Sequence, residues 1–174
     1  MKLLEPNLEI KDAFYEYINE WKQYNEKIVP TTLRKVNGDY EDYVERWSKE
    51  SRGMVREGWV ANTTFFLVND DDYIVGSCNM RHELNDKLLE IGGHVGYGVR
   101  PTERGKGYAT VMLKKCLEHL RTLGVKKALV TCNNENAGSK KVILKNGGIQ
   151  DESFVEEDGT IVNRFWINLE GELI

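Results

Sequence analysis

Polar and apolar positions alternate at two different periods along this chain, and the period changes near Thr63. Before that point Ile10, Phe14, Tyr17, Ile18 and Trp21 recur at helical spacing, which predicts an amphipathic helix with one buried face. Tyr40, Tyr43, Val44 and Trp47 repeat the pattern behind Asp39, a candidate N-cap, so a second helix is expected there. Residues 2–5 predict a short first strand, and 53–62 a loop.

After Thr63 the chain reads as strands joined by turns and two further helices. Thr64–Val68 and Tyr73–Gly76 flank the polar turn Asn69–Asp72 as in a hairpin, with the second strand continuing to Arg81 or His82. Asn85-Asp86-Lys87 predicts the next turn, leading into a strand that ends at Val99. Ala109, Met112, Leu113, Cys116, Leu117 and Leu120 form a helix stripe stopped at Gly124. The apolar run Ala128–Cys132 suits a buried strand parallel to its predecessor across that helix. A helix over about 136–146 ends at Gly147, and Asp158-Gly159 turns a final hairpin whose last strand is Ile161–Leu169. The order predicts one α/β domain over residues 1–174, a central mixed sheet with helices on both faces.

Composition narrows the function classes. With 40% hydrophobic and 30% charged residues the chain is of ordinary globular type, and its net charge of −4 argues against the clustered basic face that nucleic acid requires. The start turns polar before a signal-peptide core can form and no apolar run approaches membrane-spanning length, so a cytoplasmic protein with no membrane partner is expected. Cys78, Cys116 and Cys132 are odd in number without Cys-x-x-Cys spacing, which predicts neither a disulfide framework nor a zinc site; no metal is expected.

The candidate chemistry begins at Gly98-Val99-Arg100-Pro101-Thr102-Glu103-Arg104-Gly105-Lys106-Gly107-Tyr108-Ala109, where a strand passes into a helix. A helix N-terminus presents unpartnered N–H groups and partial positive charge, so this junction is a candidate anion cradle. Gly105 and Gly107 have no Cβ to obstruct a ligand, and Arg104 and Lys106 add charge. Two phosphate signatures fail here. Arg100 stands where a P-loop has its first Gly and Gly107 where it has Ser or Thr, and the dinucleotide fingerprint lacks its third small residue and its acidic ribose partner.

What remains, Arg104-x-x-Gly107-x-Ala109, resembles the acetyl-coenzyme A pyrophosphate loop of the GNAT superfamily of N-acetyltransferases. His94-Val95-Gly96-Tyr97-Gly98-Val99 is similar to the family's central strand, Asn136-x-x-Ser139 to the turn opening its next helix, and Lys145-Asn146-Gly147-Gly148 to that helix's end. The resemblance spans roughly residues 63–169. Asn79-Met80-Arg81-His82 and Gly92-Gly93-His94 resemble, more narrowly, a bacterial group of predicted acetyltransferases. The resemblance implies a central mixed, largely antiparallel twisted sheet with a splayed parallel strand pair. It further implies acetyl-coenzyme A as co-substrate, the amides of residues 104–109 on its pyrophosphate, and the backbone around Val99 pairing with its pantetheine arm.

Direct acetyl transfer to an amine needs a positioned thioester, a deprotonated amine and a proton for the leaving thiolate. In the motif's register His94 falls where many GNAT enzymes carry a Glu general base; the alternative is a histidine satisfied by backbone or a carboxylate. Glu90, four residues earlier, is the second candidate base. Arg81 and His82 point to opposite faces of a predicted strand, so one could line the acceptor site, Arg81 by recognising a carboxylate. Tyr97 and Trp59 are candidate walls of that site. Gly96 and Gly98 fit a bulge, a close backbone approach or simply a weak strand. Asn136 either contacts coenzyme A or caps its helix. The family often places a Tyr acid four residues beyond the Ser139 position, where this chain has Ile143, which leaves Ser139, Tyr108, water or direct thiolate release. Cys132 suits inert packing better than a covalent acetyl intermediate. The sequence thus predicts an N-acetyltransferase acting on a small-molecule or peptide amine, with a homodimer compatible. A non-catalytic acyl-coenzyme A sensor or partner-binding module is the alternative.

Overall fold

The structure is a computed structural model that describes residues 1–34 and 38–171. Seven strands form two antiparallel sheets. In the first, β1 (Lys2–Leu4), β2 (Asn62–Val68), β3 (Ile74–Arg81) and β4 (Val95–Val99) lie in sequence order. In the second, β7 (Ile161–Asn168) sits between β5 (Lys127–Asn133) and β6 (Ile149–Val155). The helices are α1 (Lys11–Gln23), α2 (Tyr40–Ser51), α3 (Asp86–Glu90), α4 (Tyr108–Thr122) and α5 (Ala137–Lys145).

The alternation of β2 explains why helices cover both faces. Phe65 and Leu67 enter a core with α4 residues Met112, Leu113, Cys116 and Leu117, while Phe66 and Val68 enter a second core with Phe14, Tyr17, Trp21, Tyr40 and Trp47 of α1 and α2. Both helical stripes read from the sequence are the buried faces. Asp39 does occupy the N-cap position of α2, but its side chain makes no capping bond.

One element departs from the sequence reading. Asn85 accepts a hydrogen bond from the Leu88 N–H and starts the short helix α3, so residues 86–90 are not the beginning of a strand. Gly92 and Gly93, at φ 99° and 56°, then turn the chain, and β4 begins only at Val95. Glu90 therefore lies on an exposed helical turn and not along the central strand.

The α4 crossover brings β5 alongside β4 in the same direction, yet the two belong to separate sheets. On its opposite edge β4 pairs with β3 in unbroken register, so Gly96 and Gly98 mark no bulge. They mark a close approach. A Cβ on Gly98 would stand 2.6 Å from the Val29 carbonyl oxygen, in the segment between α1 and α2, and one on Gly96 would meet Pro30 and Arg81 at 3.6–3.8 Å. Gly98→Ala should therefore push this segment off β4 and cost about 1–3 kcal/mol, measured by urea unfolding. Wild-type stability in that variant would mean that the segment yields freely.

Candidate active site

The cradle, the open edge of β4 and the start of α5 line one cleft of about 590 Å³. Gly107 is the N-cap of α4 at φ 85° and Gly105 lies at φ 79°, both in the left-handed region, and a Cβ on either would point into open space. Among the described residues the N–H groups of residues 105–109 have no backbone acceptor, which leaves five unpaired donors at and just before a helix N-terminus. Arg104, Gly105, Gly107, Tyr108 and Ala109 all line the cleft. Lys106 does not; it turns to Glu103 at 2.9 Å.

Carboxylates from α1 and the segment after it brace this cradle. Glu20 accepts the Arg100 Nε–H at 2.5 Å and both the N–H and hydroxyl of Thr102, at 3.0 and 2.8 Å. Glu26 holds the Arg104 guanidinium in two bonds of 2.9 and 2.6 Å, and that contact keeps the Glu26 carboxyl below its usual pKa. Arg104 also donates to the Val99 carbonyl and stacks over Trp21, so it closes the cleft wall as an already paired cation.

The open edge follows from strand parity. The Arg81 N–H donates to the His94 carbonyl and the Arg100 N–H to that of Val75, so even-numbered residues of β4 exchange bonds with β3. Val95, Tyr97 and Val99 turn their backbone groups the other way, toward the gap before β5. That gap is set by His94, 4% exposed, whose N–H donates to the Leu129 carbonyl at 2.7 Å while its Nδ1 accepts the Leu129 N–H at 2.9 Å. An Nδ1 that accepts is unprotonated, so the neutral ring carries its proton on Nε2 and has no lone pair left for an amine proton. Burial, assisted by the Arg81 charge, lowers the His94 pKa to about 4.

Across the cleft the Tyr97 hydroxyl lies 2.8 Å from Ser139 Oγ, and burial pushes the phenol up to about 12. Asn136 caps α5 by accepting the Ser139 N–H at 2.9 Å. Ile143 is fully buried in the α4 core and cannot face this pair.

Residues 3–149 match the family described as acetyltransferase (GNAT) domain. The chain belongs to the GNAT acetyltransferase family. Solved structures with the same fold include a variant of spermidine N-acetyltransferase SpeG from Vibrio cholerae, 17% identical over 97% of this chain and 94% of that one, with a TM-score of 0.63. They also include yncA from Salmonella typhimurium, a putative acetyltransferase with its cofactor acetyl-CoA, at 12% identity, 98% and 95% coverage and a TM-score of 0.65. An N-acetyltransferase from Staphylococcus aureus matches at 12% identity, 97% and 98% coverage and a TM-score of 0.65. No curated protein matches the chain in sequence.

A second cavity of about 230 Å³ opens on the α1–α2 face of the GNAT sheet, lined by Arg81, Asn62, Asn79, Thr32, Trp59 and neighbours. Arg81 reaches it and His82 does not: His82 points to the other face, with Nε2 2.8 Å from the Thr63 hydroxyl. Glu90 lines neither cavity. The sequence reading assigns no role to Asn62 or Thr32, and names Asn79 only within the Asn79-Met80-Arg81-His82 element, since an isolated polar residue in an apolar strand or a short turn carries no motif of its own. Their signal was the parity shared with Arg81: Asn62 pairs with Arg81 and Thr64 with Asn79 across β2 and β3, which puts all four on one face. Cys132 is buried, and burial raises its thiol pKa, consistent with packing. No group of metal ligands occurs among the described residues.

The His94 contact predicts an acid-sensitive fold. Unfolded His94 titrates near ~6.5 and the folded residue at about 4, so between these values the unfolded chain binds the extra proton. Its stabilising contribution is complete above ~6.5 and is lost as pH falls through about 4. His94→Asn, which keeps a side-chain acceptor and removes the titration, should flatten the melting temperature over that window. His94→Leu should cost about 1–3 kcal/mol at neutral pH by leaving the Leu129 N–H unpaired. An unaltered acid slope in His94→Asn would assign the effect to another group.

Proposed function

We propose that the protein is an acetyl-CoA-dependent N-acetyltransferase that acetylates a primary amine by direct transfer in a ternary complex. The observation that carries this reading is the continuity of the free amides of residues 105–109 with the open edge of β4 inside one cleft, while a separate cavity opens at the ends of β2 and β3. The residues fit coenzyme A. Converging N–H donors without a Cβ in their way suit a pyrophosphate, and the outward groups of Tyr97 and Val99 suit an amide-bearing arm laid as an added strand. Acetyl-CoA would supply the thioester acyl group there.

The side chains then divide the remaining work. Tyr97 stays protonated throughout the physiological range, and with Ser139 it can hand a proton to the departing sulfur while water restores its own. It takes the part that a Tyr at position 143 would have had. For the amine, neither a carboxylate nor a histidine lines the acceptor cavity among the described residues, so its proton leaves to water. The new C–N bond forms as the C–S bond breaks, with the amine proton going to solvent and the thiolate taking one from Tyr97. His94 acts as a positioning residue that holds the gap open.

A non-catalytic acyl-CoA-binding module is the second reading, favoured by Ile143 in place of the family's acid. Amine-dependent release of free thiol separates the two. Gly107→Val forces a β-branched residue to φ 85° at the cradle and should abolish the thermal stabilisation by acetyl-CoA, about 2.7 kcal/mol at ~100 times the dissociation constant. A folded Gly107→Val that keeps the shift would refute the cradle. Tyr97→Phe should lower turnover by about 10²-fold with acetyl-CoA affinity nearly unchanged. Between pH 5 and 9 the rate should rise with deprotonation of the amine itself, in wild type and His94→Asn alike. A limb near pH 6–7 that vanishes in His94→Asn would restore His94 as the base.

A further inference from the structure

The acceptor cavity contains a guanidinium whose Nε and Nη2 donors have no protein partner among the described residues. Arg81 projects from the end of β3 onto the same face as Ser77 and Asn79, partly buried, and its Nη1 donates to the carbonyls of Gly92 at 3.0 Å and Gly93 at 3.3 Å. Those two bonds fix the plane of the group. Nε and Nη2 have no partner among the described residues, and no carboxylate forms an ion pair with Arg81 there. A cation withdrawn from water without a counter-charge is costly, and its pKa is lowered to about 10 by burial alone.

Nε–H and Nη2–H form one edge of the guanidinium fork, and that edge matches the two oxygens of a carboxylate. The edge also lies close to the strand that carries the reaction. A Cβ on Gly96 would stand 3.6 Å from Nη1, 3.7 Å from Pro30 and 3.8 Å from Nη2, so the guanidinium itself lies over β4 beside Pro30. The other charged residue lining this cavity is Lys87, and Asn62, Asn79, Asn85 and two threonines supply neutral polar contacts. Glu50 lines the adjoining cavity and also meets Asn62 of this one; Arg34, Arg46, Lys49 and Arg56 outnumber it there, and Arg46 Nε lies 3.7 Å from its carboxylate. A polycation would meet like charge from both sides, whereas an anion would be drawn in.

We infer that the acceptor is a small amine of amino-acid size bearing a carboxylate, which Arg81 grips through its Nε–Nη2 edge inside the cavity it shares with Asn62 and Asn79. The inference rests on the acetyltransferase reading above and names the substrate class of that site. It separates this chain from the polyamine named for its structural neighbour from Vibrio cholerae.

The test pairs turnover with binding. Thiol release from acetyl-CoA is measured with a panel of free amino acids, the same compounds as carboxamides, and spermidine; binding of each compound to the protein with coenzyme A is followed by ligand-observed NMR. Wild type should prefer at least one free acid over its carboxamide by tenfold or more in kcat/KM. Arg81→Gln should lose that preference through a raised KM with kcat within about threefold, and Arg81→Lys, which keeps the charge without the fork, should recover only part. Acetyl-CoA-induced thermal stabilisation of each variant confirms that it is folded, and the wild-type comparison stands alone if one is not. Carboxamides or spermidine used as well as the acids would overturn the inference while leaving acetyl transfer intact, as would a folded Arg81→Gln that keeps the preference. Acids bound selectively without thiol release would support the carboxylate site and refute the transferase. Binding and turnover of none of these compounds would overturn the inference.

Discussion

Everything functional in this fold depends on how two neighbouring parallel strands are kept from pairing. A parallel ladder between β4 and β5 would consume the backbone groups of Tyr97 and Val99 and close the cofactor cleft. His94 stops the ladder at its first rung. Its own N–H makes one bond to Leu129, and its imidazole then accepts the return bond that a backbone carbonyl would otherwise supply. The ring is bulkier than a peptide, so substituting it for backbone sets the strands apart without leaving a buried N–H unsatisfied. The approach at Gly93, where a Cβ would stand 2.4 Å from the Leu129 oxygen, belongs to the same junction and explains why the preceding residue has no side chain.

Once the gap exists, the N-terminal third of the chain fixes what lies on either side of it. Glu20 and Glu26 reach some eighty residues along the sequence to Arg100, Thr102 and Arg104, and thereby hold the strand-to-helix turn against α1. The Arg100–Glu20 pair is nearly buried, so it gains more from low dielectric than the more exposed Arg104–Glu26 pair and loses more if broken. The same segment continues to Val29 and Pro30 over Gly98 and Gly96. One stretch of chain thus braces the strand-to-helix turn and covers the outer face of β4, and the glycines of β4 are the reason it can come so near.

The sequence disclosed what local periodicity and motif spacing control. The two helical stripes, the hairpin at Asn69–Asp72, the cradle glycines and the Asn136 cap stand where their residues indicated. His94 and Glu90 were harder because both arguments assumed a strand running back through residues 90–94. The Asn85 cap and the left-handed Gly92-Gly93 pair override that assumption, and they place Glu90 on an exposed turn and His94 at a strand junction. No periodicity reports that a histidine will accept a bond from a residue thirty-five positions away. Arg81 was legible in part: strand parity put it on the opposite face from His82, but only the fold shows which face holds the cavity.

The fate of the family's tyrosine shows how position and role come apart. The resemblance would place a phenol on α5, the helix after β5; here α5 offers Ile143 to the core, and its first turn presents Ser139 to the cleft. Tyr97 extends from the opposite wall and brings its hydroxyl to within 2.8 Å of that serine. A hydroxyl can therefore occupy the space beside α5 even though no residue of α5 carries a phenol. Tyr97 is also on β4, so this hydroxyl and the outward edge, where the Val99 carbonyl accepts from Arg104, are carried by the same strand. A phenol on β4 that also bonds to the first turn of α5 ties the two walls of the cleft together at a fixed distance.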